Sequence, residues 1–340
     1  MMQAATKNPR EDDMKTQLKY MAAAAALMAT TAPAALAQDG MNIVFTHHSS
    51  ASNTFWQAVQ RGFNDACERV EANCQMIFTQ TEGSVEQQLA NMEAALARSP
   101  DAILTSIVDD NAFDNILQRA VDQGITVIGV NVDDSEGAAG NPRQAFVGQG
   151  FRPAGYSLGQ AMSENFPEEG PIKAVVGVNA PGQNWSEQRA AGIMQALEEF
   201  KEANPDRDIT IERIDAGATG AVVADRVGAY LNANPDTTVY FDTGLWHAYV
   251  ARVLEDRGIE PGEVLMGGFD IVSEVLQAME KGYIQVQVDQ QPYMQGFMSV
   301  MQAYLAENFG LSPSDIDTGQ GLIFQDDVAE IKDLAAQGVR

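Results

Sequence analysis

The stretch MNIVFTHHSSASNTFWQAVQRGFNDA, residues 41–66, sets a pattern that the rest of the chain repeats. Residues 42–46 form an apolar run of strand length, and from residue 57 to 66 apolar residues recur at helical spacing. The polar segment between them contains two His and three Ser and ends in two adjacent aromatic residues, Phe55 and Trp56. Open α/β sheets bind ligands beyond the carboxyl ends of their strands. The stretch therefore predicts a strand, a loop and a helix that form one wall of a small-molecule pocket.

The N-terminus has the features of a secretory signal peptide. Two lysines precede an apolar run, Met21 to Met28, and Ala35-Leu36-Ala37 provides an A-x-A cleavage site. The apolar run is shorter than the roughly 20 residues that a membrane span needs, which disfavours an anchor. We expect residues 1–37 to be removed after Ala37, with residues 1–13 a mis-assigned start, and the mature protein to reach the periplasm.

Length and charge limit the possible classes of protein. About 300 residues remain after cleavage, which is more than one ordinary core contains and fits two domains. The full chain carries a net charge of −26, and such an acidic surface repels nucleic acid and anionic membranes. We therefore expect no nucleic-acid partner. A transcription regulator would also need a basic helix-turn-helix at its N-terminus.

The two cysteines, Cys67 and Cys74, lie seven residues apart near the end of the first predicted helix. In an unbroken helix they would be about 10 Å apart, which is too far for a disulfide. A turn at residues 71–73 would bring them together in an oxidising compartment. The sequence leaves both possibilities open. No Cys/His array has the spacing of a metal site, so we expect no metal and no cofactor.

Strands and helices continue to alternate after the first unit. Helices of 10 to 15 residues between strands predict βαβ units and a parallel sheet. A Gly- and Ala-rich loop at residues 135–142 is the clearest break, and the alternation restarts after it, which indicates two α/β halves. The later predicted strands are residues 75–79, 101–107, 125–130, 144–147, 172–178, 209–215, 238–242, 263–267, 283–289 and 319–325.

Motifs for catalysis and phosphate binding are incomplete. GVNAPG at residues 177–182 has the spacing of a phosphate loop, but Gln-Asn follows it instead of Lys-Ser/Thr. No G-x-G-x-x-G follows the first strand, and the G-x-S-x-G match at residues 155–159, GYSLG, lies inside the helix predicted at residues 153–165 and not at a strand-to-helix elbow. His47 and His48 are adjacent on or just after a strand, so their side chains should point to opposite faces, which is poor geometry for sharing a metal. We expect one to be packed and the other solvated or hydrogen-bonded, no catalytic residues, and a protein that is not an enzyme.

Hydrogen-bonding and aromatic residues recur at the predicted strand ends of both halves. Carboxylates, amides and an Arg can bond hydroxyl groups, and aromatic faces can cover the apolar face of a sugar ring. This combination suits an uncharged polyhydroxylated ligand. The candidate ligand-binding residues are Asn53, Phe55, Trp56, Asp109, Asn131, Asp133, Trp185, Arg189, Asp242, Asp270 and Gln290.

Five segments together resemble one family, the periplasmic solute-binding proteins of sugar ABC importers, specifically the ribose-binding-protein-like group. The segments are NTFWQAVQRGFNDA (53–66), ITVIGVNVDD (125–134), SEQRAAGIMQAL (186–197), VLMGGFD (264–270) and VQVDQQPYMQG (286–296). The resemblance implies the type I periplasmic fold, with two doubly wound parallel-sheet domains, a three-segment hinge and the ligand in the cleft. It places residues 41–147 and 291–318 in an N-terminal lobe and residues 148–290 and 319–340 in a C-terminal lobe.

In such proteins the first loop supplies an Asn and stacking aromatics, which match Asn53, Phe55 and Trp56. The end of the fourth strand often supplies an Asp followed by an Arg. This sequence has Asn131 there, so Asp133 becomes the candidate replacement and a pentose-specific interpretation is weakened. The first loop is also longer than is usual in the family.

The resemblance also implies residues in the second half. The family's arginine matches Arg189, although Glu187 lies within alignment error, and the aspartate of the G-F-D motif matches Asp270. The hinge glutamine matches Gln290. The family's Asn after the next strand falls at Asp242 or at the residue that follows it, which is a departure from the pattern.

The function that the resemblance implies is capture of a monosaccharide or related polyol by hinge closure, followed by delivery to an ABC permease in the inner membrane. A chemoreceptor is a compatible second partner, and we expect a monomer. Two alternatives remain. One is an exported enzyme acting on sugars, for which acid pairs such as Asp109-Asp110 could be invoked. The other is a sugar-responsive regulator of the LacI type, which the signal peptide and the acidic charge disfavour.

Overall fold

A computed structural model describes residues 40–319 and 321–340, and the predicted signal peptide and start site lie outside that range. Residues 41–340 form one compact unit. Among the described residues, no helix is long and apolar enough to cross a membrane.

The described chain alternates between strands and helices. The strands are β1 (Asn42–Ser50), β2 (Asn73–Thr79), β3 (Ala102–Thr105), β4 (Thr126–Asn131), β5 (Ala145–Gly148), β6 (Ile172–Val178), β7 (Ile209–Asp215), β8 (Val239–Asp242), β9 (Leu265–Phe269), β10 (Val286–Asp289), β11 (Ile316–Asp317) and β12 (Gly321–Phe324). The helices are α1 (Phe55–Arg69), α2 (Val85–Leu96), α3 (Asp114–Asp122), α4 (Phe151–Ser163), α5 (Asn184–Ala203), α6 (Gly220–Ala233), α7 (His247–Asp256), α8 (Ser273–Glu280), α9 (Pro292–Phe309) and α10 (Val328–Ala336).

The strands form two six-stranded sheets, which confirms the prediction of two doubly wound α/β domains. The first sheet is parallel throughout, in the order β11-β5-β4-β3-β1-β2. Its central strands β3 and β4 are buried along their whole length, as expected for parallel strands covered by helices on both faces. We call the half built on this sheet the N lobe.

The second sheet has the order β12-β10-β9-β8-β6-β7, and we call the half built on it the C lobe. Its edge strand β12 runs antiparallel to β10, so this sheet is mixed and the all-parallel prediction is wrong at that edge. An antiparallel edge strand is common on otherwise parallel sheets. The chain passes between the two sheets three times: after Gly148, after Asp289 and between Asp317 and Gly321.

Glycines allow two helix pairs to pack closely. A Cβ at Gly62 of α1 would lie 2.0 Å from the carbonyl oxygen of Tyr293 in α9. In the C lobe, a Cβ at Gly192 of α5 would lie 2.1 Å from the carbonyl oxygen of Arg152 in α4. Because such distances exclude any side chain, these glycines fix the position of α1 and α5. Both helices begin at the cleft between the lobes.

The first strand is longer than the sequence predicted. β1 extends through Ser50, and His47 to Ser50 are buried, so the prediction of a polar loop from residue 47 is wrong. The pairing with β2 has a register shift after Thr46 and resumes with Ser50 opposite Thr79. Polar side chains of residues 47–50 form hydrogen bonds with Glu82 and Ser106, which are distant in the sequence.

Helix α1 ends at Arg69, and Glu71 then adopts a positive φ of 54°. This turn reverses the chain before β2 and brings the Cα atoms of Cys67 and Cys74 to 6.3 Å. The two cysteines form a disulfide, which settles the alternative that the sequence left open.

Hydrogen bonds at both ends fix the turn between β2 and α2. Ser84 caps α2, its Oγ accepting a hydrogen bond from the Gln87 backbone N–H at 3.3 Å. The Gln87 side chain turns back, and its Oε1 accepts from the N–H groups of Gln80 and Thr81. Residues 81–83 are therefore fixed beside the end of β1.

Candidate ligand-binding site

A cleft between the lobes brings together strand ends from both sheets, and it encloses about 550 Å³ of space between the atoms, part of it open to solvent. Eight of the eleven candidate residues line the cleft, and they are Asn53, Phe55, Trp56, Asn131, Trp185, Arg189, Asp270 and Gln290.

Two of the remaining candidates lie outside the cleft lining. Asp109 accepts hydrogen bonds from the backbone N–H groups of Asn111 and Ala112 and shapes its own turn. Asp133 accepts two hydrogen bonds from the Arg143 guanidinium, at 2.7 and 2.5 Å. Both carboxylates already have partners, and the prediction that they face a ligand gains no support from the geometry.

The third, Asp242, is buried beneath the cleft. It accepts hydrogen bonds from the Tyr240 hydroxyl and from the Gly244 N–H, both at 2.8 Å. Burial raises the pKa of Asp242 to about 6. Because Gly244 lines the cleft and Asp242 does not, the aspartate supports the cleft floor from below.

The cleft also contains residues that the sequence did not single out. Trp246 follows the end of β8, where a strand-end aromatic was a usable signal. The other residues gave no such signal, because they lie in segments that the sequence predicts to be a loop or the start of a helix. The principal additions are His48, Glu82, Phe151, Asn179, Gln183 and Trp246.

Glu82 organises the N-lobe wall. Its Oε1 accepts hydrogen bonds from Ser49 Oγ at 2.5 Å and Asn53 Nδ2 at 3.0 Å. Its Oε2 accepts from the Ser50 N–H at 2.8 Å and Ser50 Oγ at 3.0 Å. An ionised carboxylate has about four acceptor sites, so this one is saturated. The Asn53 Oδ1 atom accepts from the Phe55 N–H, which fixes the orientation of that amide.

The adjacent histidines have different surroundings, although both rings contact Trp56. His47 stacks on Trp56 with ring centroids 4.0 Å apart, and its Nδ1 accepts from the Ser49 N–H. Burial holds the pKa of His47 well below its usual value, and neighbouring His48 adds to this shift. His48 lines the cleft, and its Nδ1 lies 3.0 Å from Ser106 Oγ. One His is therefore packed and the other hydrogen-bonded.

Arg189 dominates the C-lobe wall. Its guanidinium lies 4.0 Å from the ring centroid of Phe269 and donates to the carbonyl oxygen of Thr243 and to Gln149 Oε1. Burial lowers the pKa of Arg189 to about 10, opposed by nearby Asp270 and Asp242, so it is charged at neutral pH. Only two of its five N–H donors have partners within the described part of the chain.

A chain of hydrogen bonds connects the two walls at the hinge side of the cleft. Asn131 Nδ2 donates to Gln290 Oε1 at 3.0 Å, and Gln290 Nε2 donates to Asp270 Oδ1 at 2.5 Å. Asn131 and Asp270 both have positive φ angles, a conformation that Asn and Asp tolerate best among residues with side chains. Asp270 Oδ2 has no hydrogen-bond partner in the described residues and remains an open acceptor. Burial raises the pKa of Asp270, and Arg189 offsets part of that rise.

Contacts across the cleft hold the lobes together in this structure. Gln183 Nε2 donates to the carbonyl oxygen of Gly83 at 2.8 Å, while Gln183 Oε1 accepts from the indole N–H of Trp185 at 2.7 Å. Asn184, at the start of α5, donates from Nδ2 to Asp110 and from its backbone N–H to the Val108 carbonyl. The cleft between the two lobes is therefore closed in this structure.

Residues 43–310 match the family model described as a periplasmic binding protein domain. The chain belongs to this family. This periplasmic binding protein is 30% identical over 298 residues to the xylose/arabinose-binding protein of Sulfolobus acidocaldarius, a match that covers 83% of this chain and 70% of the relative. The resemblance inferred from the sequence is thereby confirmed.

Solved structures support the same fold for this periplasmic binding protein. The periplasmic sugar-binding protein of an ABC sugar transporter from Legionella pneumophila superposes with a TM-score of 0.75 at 27% identity, covering 82% of this chain and 99% of the other. A carbohydrate transporter protein from Acidothermus cellulolyticus, in complex with myo-inositol, gives a TM-score of 0.76 at 22% identity, covering 88% and 100%. The second likeness concerns the fold alone.

Proposed function

We propose that this protein captures a monosaccharide or related polyol in the cleft and delivers it to the permease of an ABC importer. The observation that carries the proposal is the pairing of open hydrogen-bonding groups with aromatic rings inside one cleft. Asp270 Oδ2 is an open acceptor and Arg189 has open donors, while Phe55 and Trp185 present aromatic surface. Hydroxyl groups both donate and accept, so a polyol can use both kinds of group.

The energetics of such a site fit a binding protein. Hydrogen bonds to charged groups contribute roughly 1.5–3 kcal/mol each. A few of them, after the cost of ordering the ligand, suffice for about −8 kcal/mol, which corresponds to micromolar affinity. Aromatic stacking on the C–H face of a sugar ring adds apolar burial that an inorganic ion does not use.

The comparisons support this ligand class. The Sulfolobus relative is named for xylose and arabinose. Solved structures with this fold contain myo-inositol, D-arabinose and D-allose. We infer that pentoses, hexoses and inositols are the first ligands to test.

We further propose that the three chain passages between the sheets act as the hinge. The lobes would then comprise residues 41–147 with 291–318, and residues 148–290 with 319–340. Closure brings Gln183 to Gly83, and the permease recognises the closed form. We also propose a monomer that is exported to the periplasm after cleavage at Ala37, acts without catalysis, and is able to present its ligand to a chemoreceptor.

Isothermal titration against aldoses, ketoses, inositols and sugar alcohols tests the proposal. All three tryptophans of the chain, Trp56, Trp185 and Trp246, line the cleft, so intrinsic fluorescence should report the same binding independently. We expect micromolar affinity for at least one of these compounds and recovery of the compound unchanged. No binding across the panel, with tight binding of an amino acid instead, would contradict the proposal. Turnover of the bound sugar would favour an enzyme.

A further inference from the structure

We propose that His48 is a ligand-contacting residue, whose neutral imidazole donates a hydrogen bond from Nε2 to an oxygen atom of the bound sugar. The inference rests on the proposed function and deepens it by adding a donor to the N-lobe wall. Glu82 acts with His48 as a positioning residue, because it shapes the segment that follows the histidine. Four observations lead to this assignment.

The first observation is the direction of the ring. His48 lines the cleft, whereas His47 points away from it, behind Trp56. The His48 ring meets the Trp56 ring edge-on, with centroids 5.5 Å apart and planes at 85°. Its Nε2 has no hydrogen-bond partner anywhere in residues 40–319 and 321–340. A polar atom in this position is free to contact a molecule in the cleft.

The second observation identifies which ring nitrogen carries the proton. Ser106 Oγ accepts from the His48 backbone N–H at 3.3 Å. One hydrogen of Gln88 Nε2 bonds the Ser106 carbonyl oxygen at 2.6 Å, and the other is shared between Ser106 Oγ at 3.1 Å and Thr105 Oγ1 at 3.2 Å. Two donors thus face the hydroxyl oxygen, and this arrangement assigns its hydrogen to His48 Nδ1, 3.0 Å away. An Nδ1 that accepts a hydrogen bond carries no proton. The proton of the neutral ring is therefore on Nε2.

The third observation is the charge state of the ring. Burial lowers the pKa of His48 to about 4, although the nearby Glu82 carboxylate opposes the shift. At neutral pH the imidazole is uncharged and holds one proton. It therefore offers one N–H donor to the cleft without adding a positive charge.

The fourth observation is that the main chain at His48 is fixed. The carbonyl oxygen of His48 accepts from the Gly83 N–H at 2.8 Å and from Thr79 Oγ1 at 3.0 Å. Its N–H donates to Ser106, as described above. Glu82 lies between these anchors and binds Ser49, Ser50 and Asn53 with all its acceptor sites in use. Since Glu82 has no free acceptor, its contribution is the position of its neighbours.

This geometry restricts the ligand. A fixed N–H donates to a hydroxyl, ring or carbonyl oxygen at the facing position. A protonated amine there would place donor against donor and leave both unpaired, which costs free energy in a desolvated site. We therefore expect the sugar to carry oxygen, and not an ammonium group, at the position that faces His48.

The test compares three variants by titration calorimetry, with D-xylose, L-arabinose, D-allose and myo-inositol as probes. For each probe that the wild type binds, we expect His48→Ala to weaken binding by roughly 10- to 100-fold, as loss of one hydrogen bond in a desolvated site implies. His48→Gln keeps a donor at similar reach and should recover most of that loss. The matched control is His47→Phe, which changes the neighbouring His behind Trp56 and should alter affinity less than threefold.

Two further measurements separate a contact from a general structural role. A series of monodeoxy analogues of the bound probe removes the sugar hydroxyls one at a time. The analogue that lacks the hydroxyl facing His48 should bind the wild type and His48→Ala with equal affinity, because it cannot use the His48 donor. A ¹⁵N spectrum of the sugar-free protein should show the His48 ring protonated at Nε2. Equal losses for His48→Ala with every analogue, or an Nδ1–H ring, would overturn the inference while leaving the proposed function intact. A wild type that binds none of the probes would overturn both.

Discussion

The two walls of the cleft differ in how completely their polar groups are paired. In the N-lobe wall the Glu82 carboxylate has four donors, and the backbone of His48 is bonded at both its N–H and its carbonyl. In the C-lobe wall Arg189 uses two of its donors, and Asp270 uses one of its oxygens. Folding thus pairs the Glu82 network of the N-lobe wall, in which His48 Nε2 stays open, whereas several groups of the C-lobe wall need a ligand to complete them. Apart from those at His48, substitutions in the N-lobe wall should therefore affect stability first, and those in the C-lobe wall should affect affinity first.

The largest effect expected from this comparison is on stability, at Trp56. Its side chain is 2% exposed and packs against Phe45, Phe55 and His47, so Trp56→Ala leaves a large cavity. We expect a loss of roughly 3–5 kcal/mol in the free energy of unfolding. Trp246 of the other wall is only partly buried, and Trp246→Ala should cost about 1 kcal/mol. Denaturant unfolding of the two sugar-free variants measures both, and equal losses would remove the distinction between the walls.

The second effect is on affinity and compares two buried arginines. Arg189→Lys keeps the charge but loses the planar fork, so sugar affinity should fall by roughly 100-fold, or about 2.7 kcal/mol. Arg143 is the matched control, because it is also buried but binds Asp133 and Asp315 outside the cleft. Arg143→Lys should lower the melting temperature and leave affinity within threefold. If Arg143→Lys weakens sugar binding as much as Arg189→Lys does, sugar affinity does not depend specifically on the C-lobe wall.

The sequence predicted the fold well because its signals are local. Alternating strand and helix periods identify βαβ units, and parallel strand ends converge at one edge of each sheet, so most strand-end candidates meet in the cleft. The direction of β12 was missed because pairing with β10 decides it, and a four-residue strand contains no signal for direction.

The site was less predictable because pairing between distant residues decides which polar groups stay open. Asp133 resembles Asp270 in the sequence, yet Arg143 occupies the first and leaves the second with a free oxygen. His48 was read as part of a loop because a polar segment resembles solvent-exposed chain. Ser106, which bonds its ring, lies 58 residues further along the chain, and Glu82, which bonds the segment that follows it, lies 34 residues further along. No local pattern records those contacts.

The smallest effect is on the pH dependence of stability, and the two walls should respond with opposite sign. The pKa of His47 is held well below 6.5 by burial, so the unfolded chain binds a proton at a pH where the folded protein does not. Its contribution to stability is present above about pH 6.5 and is lost as the pH falls. The pKa of Asp242 is raised to about 6 by burial, so its contribution is largest below the unfolded value and is lost as the pH rises through 6.

Unfolding free energies between pH 4.5 and 8 test these signs. His47→Phe keeps a ring against Trp56 and should reduce the loss of stability on acidification, by at most about 1.4 kcal/mol for each pH unit. It also removes the acceptor of the Ser49 N–H, which lowers stability by a similar amount at every pH and does not change the slope. Asp242→Asn should do the reverse, so that stability falls less between pH 4.5 and 6 than in the wild type. Slopes that change in the same direction in both variants would show that burial does not set the two pKa values, since desolvation shifts a base down and an acid up.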